Sequence, residues 1–303
     1  MTGMLAWGRG ALTLLSYVLF TAVIFIVFQL VLLLKILIPL SRVRILCTRV
    51  LDGLASTCWV FCANMTHRML TGTQIHVHGR RNLRVDRWCL LLSNHQSWVD
   101  ILVIIRVFFR KLPPYKFFIK KELLWLPLMG ACLWGLDFPV MRRYSKGFLA
   151  KHPHLKGRDL EATRKACEKF KDHPVTVMNF AEGTRFTHAK HQAQESPFTH
   201  LLKPRAGGTA LVMHAMGEVL EEILDVTIIY PAGPPGLWPF FCGKTREIII
   251  DVRRLPFNPE LVGNYHVDAD FQGFFQSWIN NLWREKDFRI ERYLHGKVSD
   301  NGG

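Results

Sequence analysis

The rhythm of apolar and polar positions changes near residue 73. Between Gly10 and Leu34 there is no charged residue, and most positions are Leu, Val, Ile, Phe or Ala. At about 1.5 Å per residue a helix of this length covers the roughly 30 Å hydrocarbon core of a bilayer. A cleaved signal peptide fits less well, because the run is too long and no small-residue cleavage site follows. A second apolar stretch, Gly53 to Thr66, is short for a span and predicts an interfacial or re-entrant helix against the first. Lys35, Arg42, Arg44 and Arg49 follow the first stretch, whereas only Arg9 and the amino terminus precede it. That bias places the remainder on the cytoplasmic side of a membrane. Residues 1–72 thus read as membrane-anchoring helices.

From Thr73 onward short β-rich runs alternate with helical patterns, and residues 73–303 read as one domain with a C-terminal helix. Strands are predicted at Gln74–His78, Trp88–Ser93, Lys116–Ile119, Phe138–Met141, Val175–Phe180, Val226–Tyr230 and Glu247–Val252. Helices are predicted at Trp98–Phe108, Asp159–Lys171, Ala206–Met216 and Asp270–Glu285. This alternation implies an α/β fold: a mostly parallel sheet of about seven strands, covered by helices on both faces, with an N-terminal membrane helix pair. The polar stretch Arg185–Arg205 has no clear period and predicts a loop or lid.

The 303 residues are 49% hydrophobic, enough for a substantial core, and carry a formal charge of +15. That excess attracts anionic partners: acidic headgroups, phosphorylated substrates or nucleic acid. No nucleic-acid recognition motif is present, and the apolar N-terminus sits poorly with that class. Seven scattered cysteines contain no Cys-x-x-Cys pair, so buried free thiols are expected rather than disulfides or structural zinc. His76 and His78 share a strand face without a third ligand at helpful spacing, so no metal or other cofactor is expected. There is no nucleophile elbow, Walker loop or dinucleotide fingerprint.

Ligands of open α/β sheets bind beyond the carboxyl ends of the strands. Asn94-His95, Arg142-Arg143, Glu182-Gly183-Thr184-Arg185 and Pro231 each follow a predicted strand. His95 and Asp100 are five apart, about 140° around a regular helix, so they meet only if His95 precedes the helix and Asp100 lies in its first turn. Asp100 would then accept from Nδ1–H of His95 and leave Nε2 free to take a proton. Ser97-x-x-Asp100 also fits a capping box, and the spacing alone favours that plainer reading.

The order of the blocks adds to this. Asn-His-x-Ser-x-x-Asp at 94–100, the basic pair 142–143, Glu-Gly-Thr-Arg at 182–185 and Ile-Ile-Tyr-Pro at 228–231 resemble the four blocks of the glycerolipid acyltransferase family. That family includes the PlsC-type 1-acylglycerol-3-phosphate acyltransferases. Phe118-Ile-Lys-Lys-Glu-Leu123, Pro127 and Gly130 are similar to it as well, and the resemblance runs from about Thr73 to Arg253. The segments Met141–Ser145 and Lys203–Gly208 look like its bacterial inner-membrane branch and lysocardiolipin-type relatives. Two departures stand out: Met141-Arg142-Arg143 lacks the acid usual in the second block, and Ala181 and Phe186 replace the usual Pro and Ser of the third.

The resemblance implies direct acyl transfer from acyl-CoA or acyl-acyl carrier protein to the free hydroxyl of a lysophospholipid, at the bacterial inner membrane. His95 would be the base and Asp100 its orienting partner. Arg185 with Arg142 or Arg143 would hold the acceptor phosphate, since a guanidinium matches phosphate oxygens bidentately. Glu182 would bind a glycerol hydroxyl or orient an arginine, and backbone N–H groups near Gly183 are candidate oxyanion donors. Lys203 and Arg205 would either aid phosphate binding at a helix start or simply attract the membrane surface. The rival class is a non-catalytic binder of anionic membrane lipids.

Overall fold

The computed structural model describes residues 2–79, 83–126, 129–141, 165, 167–168, 170, 173–265 and 267–296. The uncharged run lies in one helix, α1 (Thr2–Leu37). It is followed by α2 (Ser41–Gly53), a π-helical turn at Leu54–Cys58 and α3 (Trp59–Leu70), which join end to end. The second rod is therefore 30 residues long, Ser41–Leu70, rather than the short segment expected at 53–66. Hydropathy missed its first half because Arg42, Arg44, Arg49 and Asp52 interrupt the apolar pattern. The arginines stay exposed, while Asp52 is buried against Lys116 at 2.6 Å.

The two rods run antiparallel. Trp59 Nε1 donates to Thr21 Oγ1 at 2.9 Å, and His67 meets the Tyr17 hydroxyl at 2.9 Å. The pair lies along the rest of the chain instead of projecting from it. Near one end of α1, Trp7 packs edge-on against Trp238, with ring centroids 4.9 Å apart. At the other, Lys35 Nζ donates to the Gly135 carbonyl at 2.8 Å and to Asp137 at 2.6 Å. The opposite face leaves Leu12, Leu15, Leu19, Val23, Ile26 and Leu30 exposed.

Among the described residues eight strands form: β1 (Gln74–His78), β2 (Cys89–Ser93), β3 (Tyr115–Lys116), β4 (Ile119–Lys120), β5 (Val140–Met141), β6 (Thr176–Phe180), β7 (Glu222–Ile229) and β8 (Glu247–Pro256). Six build one sheet in the order β1-β8-β7-β2-β6-β3, and β4 pairs with β5 apart from it. All pairings are parallel except β7–β8. The expected single sheet of about seven strands is thus six plus a two-strand ribbon. Lys116–Ile119, read as one strand, divides between the two sheets.

The helices of the domain are α4 (Val99–Val107), α5 (Met129–Gly135), α6 (His188–Ala193), α7 (Ala206–Met216), α8 (Leu237–Phe241) and α9 (Ala269–Leu294). The unbroken apolar run of β2 follows from burial on both faces. Leu90 and Leu92 pack with Val212 and Met213 of α7 and Phe275 and Trp283 of α9. Cys89 and Leu91 pack with Val103 of α4, Tyr17 of α1 and Ala63 of α3. Most of the helix expected at Asp159–Lys171 lies outside the described residues. The stretch 185–205 is anchored rather than loose: it contains α6 and buries Phe198, Leu201 and Leu202.

β7 begins four residues before the predicted start, and β8 runs four past its predicted end. Charged positions hid both extensions. Glu222 and Asp225 on β7 are buried because Arg254 and Arg253 of β8 pair with them across the antiparallel ladder. Lys286 of α9 also reaches Asp225 at 2.5 Å and donates to the Val226 carbonyl at 2.6 Å, while Arg289 joins the same carboxylate.

Candidate active site

β2 lies between β7 and β6 and parallel to both, so the carboxyl ends of the three share one edge, and three of the sequence blocks meet there. Asn94 follows β2 with a side-chain amide that reads the backbone of β7: Nδ2 donates to the Ile228 carbonyl at 2.9 Å and Oδ1 accepts from Ile228 N–H at 2.8 Å. This reciprocal pair fixes where the turn leaves the sheet. The turn then enters α4, with Ser97 Oγ accepting from Val99 N–H at 3.0 Å and donating to the Pro235 carbonyl at 2.5 Å.

His95 lies in that turn and Asp100 in the first turn of α4. Nδ1 of His95 stands 2.8 Å from Asp100 Oδ2. The same oxygen accepts from the backbone N–H of Gln96 at 2.6 Å and of Ser97 at 2.9 Å. One carboxylate thus pairs with His95 and also accepts from Ser97 N–H, the half of the capping box that Asp100 supplies; the Ser97 hydroxyl bonds Val99 N–H rather than Asp100 N–H. Asp100 is fully buried, and its other oxygen accepts from the Tyr230 hydroxyl at 2.5 Å. Burial, with the Asp100 charge adding to it, raises the Tyr230 phenol well above its ordinary value, so it remains a neutral donor.

The imidazole of His95 stacks on Phe180 at the end of β6, with centroids 4.1 Å apart and planes at 22°. Its side chain is 14% exposed and borders a cavity of about 220 Å³ whose other walls are mainly Ile101, Phe117, Phe118, Met178 and Val212. A carboxylate on one ring nitrogen and an apolar cavity beside the ring suit proton transfer at a group that enters the cavity.

Glu182 is buried behind His95. Its oxygens accept from the backbone N–H of His95 at 3.3 Å and of Leu202 at 3.4 Å. Burial pushes its carboxyl up to about 8, against those two backbone donors. The 182–186 loop is laced to the His95 turn a second time, by Phe186 N–H donating to the His95 carbonyl at 2.7 Å. Gly183 has φ +68°, and a Cβ there would come within 3.2 Å of Arg205 Cδ. Gly183 and Arg205 are thus in contact beside the cavity, and Arg205 caps the start of α7, whose Gly208 lines it.

The Arg185 guanidinium lies over the exposed Trp98 ring, 3.9 Å from its centroid. Thr184 Oγ1 accepts from Lys190 Nζ at 2.7 Å. Lys203 borders a different cavity, between Phe198 and Arg284. Arg142 and Arg143 lie outside the described residues. Tyr230, Asn94, Trp98 and Phe180 were given no role on sequence grounds. Tyr230 sat inside the Ile-Ile-Tyr-Pro block, which was its only signal.

The sequence profile of the acyltransferase family matches residues 74–232, just over half of the chain. The 1-acyl-sn-glycerol-3-phosphate acyltransferase 3 of Arabidopsis thaliana is 26% identical over 220 residues, covering 68% of this chain and 53% of the relative. The delta 1-acyl-sn-glycerol-3-phosphate acyltransferase of Homo sapiens is 27% identical over 223 residues, again 68% of this chain and 53% of the relative. The chain spans about half the length of these curated relatives. Among solved structures, the 1-acyl-sn-glycerophosphate acyltransferase PlsC from Thermotoga maritima superposes with a TM-score of 0.51 at 18% identity, covering 96% of this chain and 98% of that one. That likeness is one of fold.

Proposed function

The chain belongs to the acyltransferase family, and from that premise we propose that it acylates the free hydroxyl of a lysophospholipid, 1-acylglycerol-3-phosphate or a close relative. The observation that carries this reading is the His95–Asp100 pair at the mouth of an apolar cavity. In the reading, Asp100 holds the His95 ring with a proton on Nδ1. Nε2, which has no partner among the described residues, then accepts the acceptor's hydroxyl proton. The freed oxygen attacks the thioester carbonyl of acyl-CoA or acyl-acyl carrier protein, and the thiolate leaves as the new ester forms. Asp100 balances the imidazolium, and the buried Tyr230 hydroxyl holds the carboxylate in place.

In this reading Arg185, stacked on Trp98, and Arg205, against Gly183, take the acceptor phosphate, with the 142–143 pair as further candidates. Glu182 acts as a positioning residue, tying His95 to the 201–205 segment. Backbone N–H groups around Gly183 and at the start of α7 are the oxyanion donors in this scheme.

The anchoring reading assigns residues 1–72 to the membrane and 73–303 to chemistry. α1 touches the domain near both of its ends, and in this reading it lies along the membrane rather than across it. The apolar face it leaves exposed fits insertion into one leaflet, with the exposed Arg42, Arg44 and Arg49 of α2 facing anionic headgroups of the cytoplasmic side of a bacterial inner membrane. The reading is tested by giving the purified protein lysophosphatidate with acyl-CoA and, separately, acyl-acyl carrier protein. Phosphatidate from at least one donor is expected; none from either, with other lysophospholipids also inert, contradicts it.

A further inference from the structure

A second cavity, of about 390 Å³, sits at the opposite edge of the sheet from His95. Tyr115 pairs with Thr176, the first residue of β6, whereas Phe180, the last, stacks on His95. The strand between them is about 13 Å long. One wall of this cavity is the end of α2 and the π-helical turn Leu54–Cys58; π turns recur where helices carry a function.

Four buried polar atoms of residues that line this cavity have no hydrogen-bond partner among the described residues: the Tyr115 hydroxyl, Asp52 Oδ2, and both ring nitrogens of His173. Asp52 is 6% exposed, and its Oδ2 stands 3.5 Å from His173 Nε2 without hydrogen-bond geometry. Buried polar groups are nearly always paired, so four unpaired ones around one space point to a ligand that pairs them. The ligand's charge follows from the remainder. Lys116 already neutralises Asp52 at 2.6 Å, leaving exposed Arg49 and Arg110 at the mouth, with no carboxylate paired to either among the described residues. Guanidiniums, a phenol and an imidazole supply donors for a phosphate, while the spare Asp52 oxygen calls for a hydroxyl donor from the same ligand. Leu46 and Val50, beside Arg49 on α2, are exposed and apolar, as expected of a helix surface in contact with lipid.

We propose that this cavity binds the headgroup of an anionic phospholipid carrying a free hydroxyl, of the glycerol phosphodiester class. The phosphate lies on Arg49 and Arg110, and the headgroup hydroxyl reaches Asp52 and His173. The site is separate from the His95 cavity and stands whether or not the acyl-transfer reading does.

The test uses the full chain in neutral detergent, with thermal unfolding as the readout. The probes are dioctanoyl phosphatidylglycerol, dioctanoyl phosphatidylcholine and glycerol 3-phosphate. Phosphatidylglycerol is expected to raise Tm saturably, equally in His95→Ala, while phosphatidylcholine does little. Arg49→Gln should weaken the response at least fivefold. Tyr115→Phe removes an unpaired hydroxyl, so it should raise the ligand-free Tm and yet blunt the lipid response. A shift with glycerol 3-phosphate alone keeps the site and makes its source a soluble polyol phosphate. Equal shifts with phosphatidylcholine, or an undiminished response in both variants, overturn the proposal.

Discussion

Tyr230 donates its hydroxyl to Asp100 Oδ1 at 2.5 Å, the oxygen that His95 does not touch. The carboxylate is thereby held from both ends, one by a residue at the close of β7 and the other by the turn after β2. Tyr230→Phe leaves Oδ1 buried with no donor, which costs about 1–3 kcal/mol. The variant is expected to fold, to melt lower than wild type and to turn over about tenfold more slowly, a factor of ten being about 1.4 kcal/mol. Steady-state kinetics with a melting curve check this, and unchanged kcat would remove Tyr230 from the account.

Glu182 yields a pH prediction. Its carboxyl, raised by burial to about 8 from an ordinary value of 4.5, keeps in the folded protein a proton that the unfolded chain releases. The stabilising contribution is full below pH 4.5 and is lost as pH rises through about 8. Wild-type Tm should therefore fall between pH 6 and pH 9, and Glu182→Gln, which mimics the protonated acid, should flatten that decline while keeping most of the activity. Glu182→Ala should lose activity through a misplaced His95. An identical pH–stability curve for wild type and the Gln variant would contradict the assignment.

Arg185 on Trp98 makes a prediction about acceptor binding. Exposed cation–π contacts are worth about 0.5–1 kcal/mol, so Trp98→Ala should raise the acceptor KM roughly threefold and leave donor KM alone. Arg185→Lys loses the bidentate fork and should raise acceptor KM about tenfold. Separate titrations of the two substrates decide it. A change confined to the donor KM would move Arg185 to the other substrate.

The ion cluster on Asp225 concerns the fold alone. Removing that carboxylate strands Lys286 in the core beside Arg253 and Arg289. Stripping one partner from a buried ion cluster costs about 3–5 kcal/mol, so Asp225→Ala should unfold at markedly lower denaturant, or fail to accumulate. Denaturation by urea measures this. A loss under 1 kcal/mol would mean that the cluster is solvated in practice.

What the sequence made legible follows from which forces act locally. β1 at Gln74–His78 and α7 at Ala206–Met216 match their predicted bounds. The turn after β2 was legible through the conflict between helical geometry and the His95–Asp100 spacing. Long-range pairing was not. Asp225 halted the β7 reading at Val226, since a charge in a strand reads as its end unless Arg253 and Lys286 are known to neutralise it. Lys116 and Ile119 read as one strand because their assignment to two sheets depends on partners about sixty and twenty residues further on. The same blindness hid Tyr230, 130 residues from Asp100.

The central claim is that His95, poised by Asp100, is the base for acyl transfer. The most direct measurement is single-turnover acyl transfer to lysophosphatidate by purified wild-type and His95→Ala protein, matched for Tm and for liposome binding. General-base catalysis contributes about 10²–10⁴-fold, so the variant should lose at least a hundredfold in rate while both controls hold. A variant within a few-fold of wild type would contradict the account.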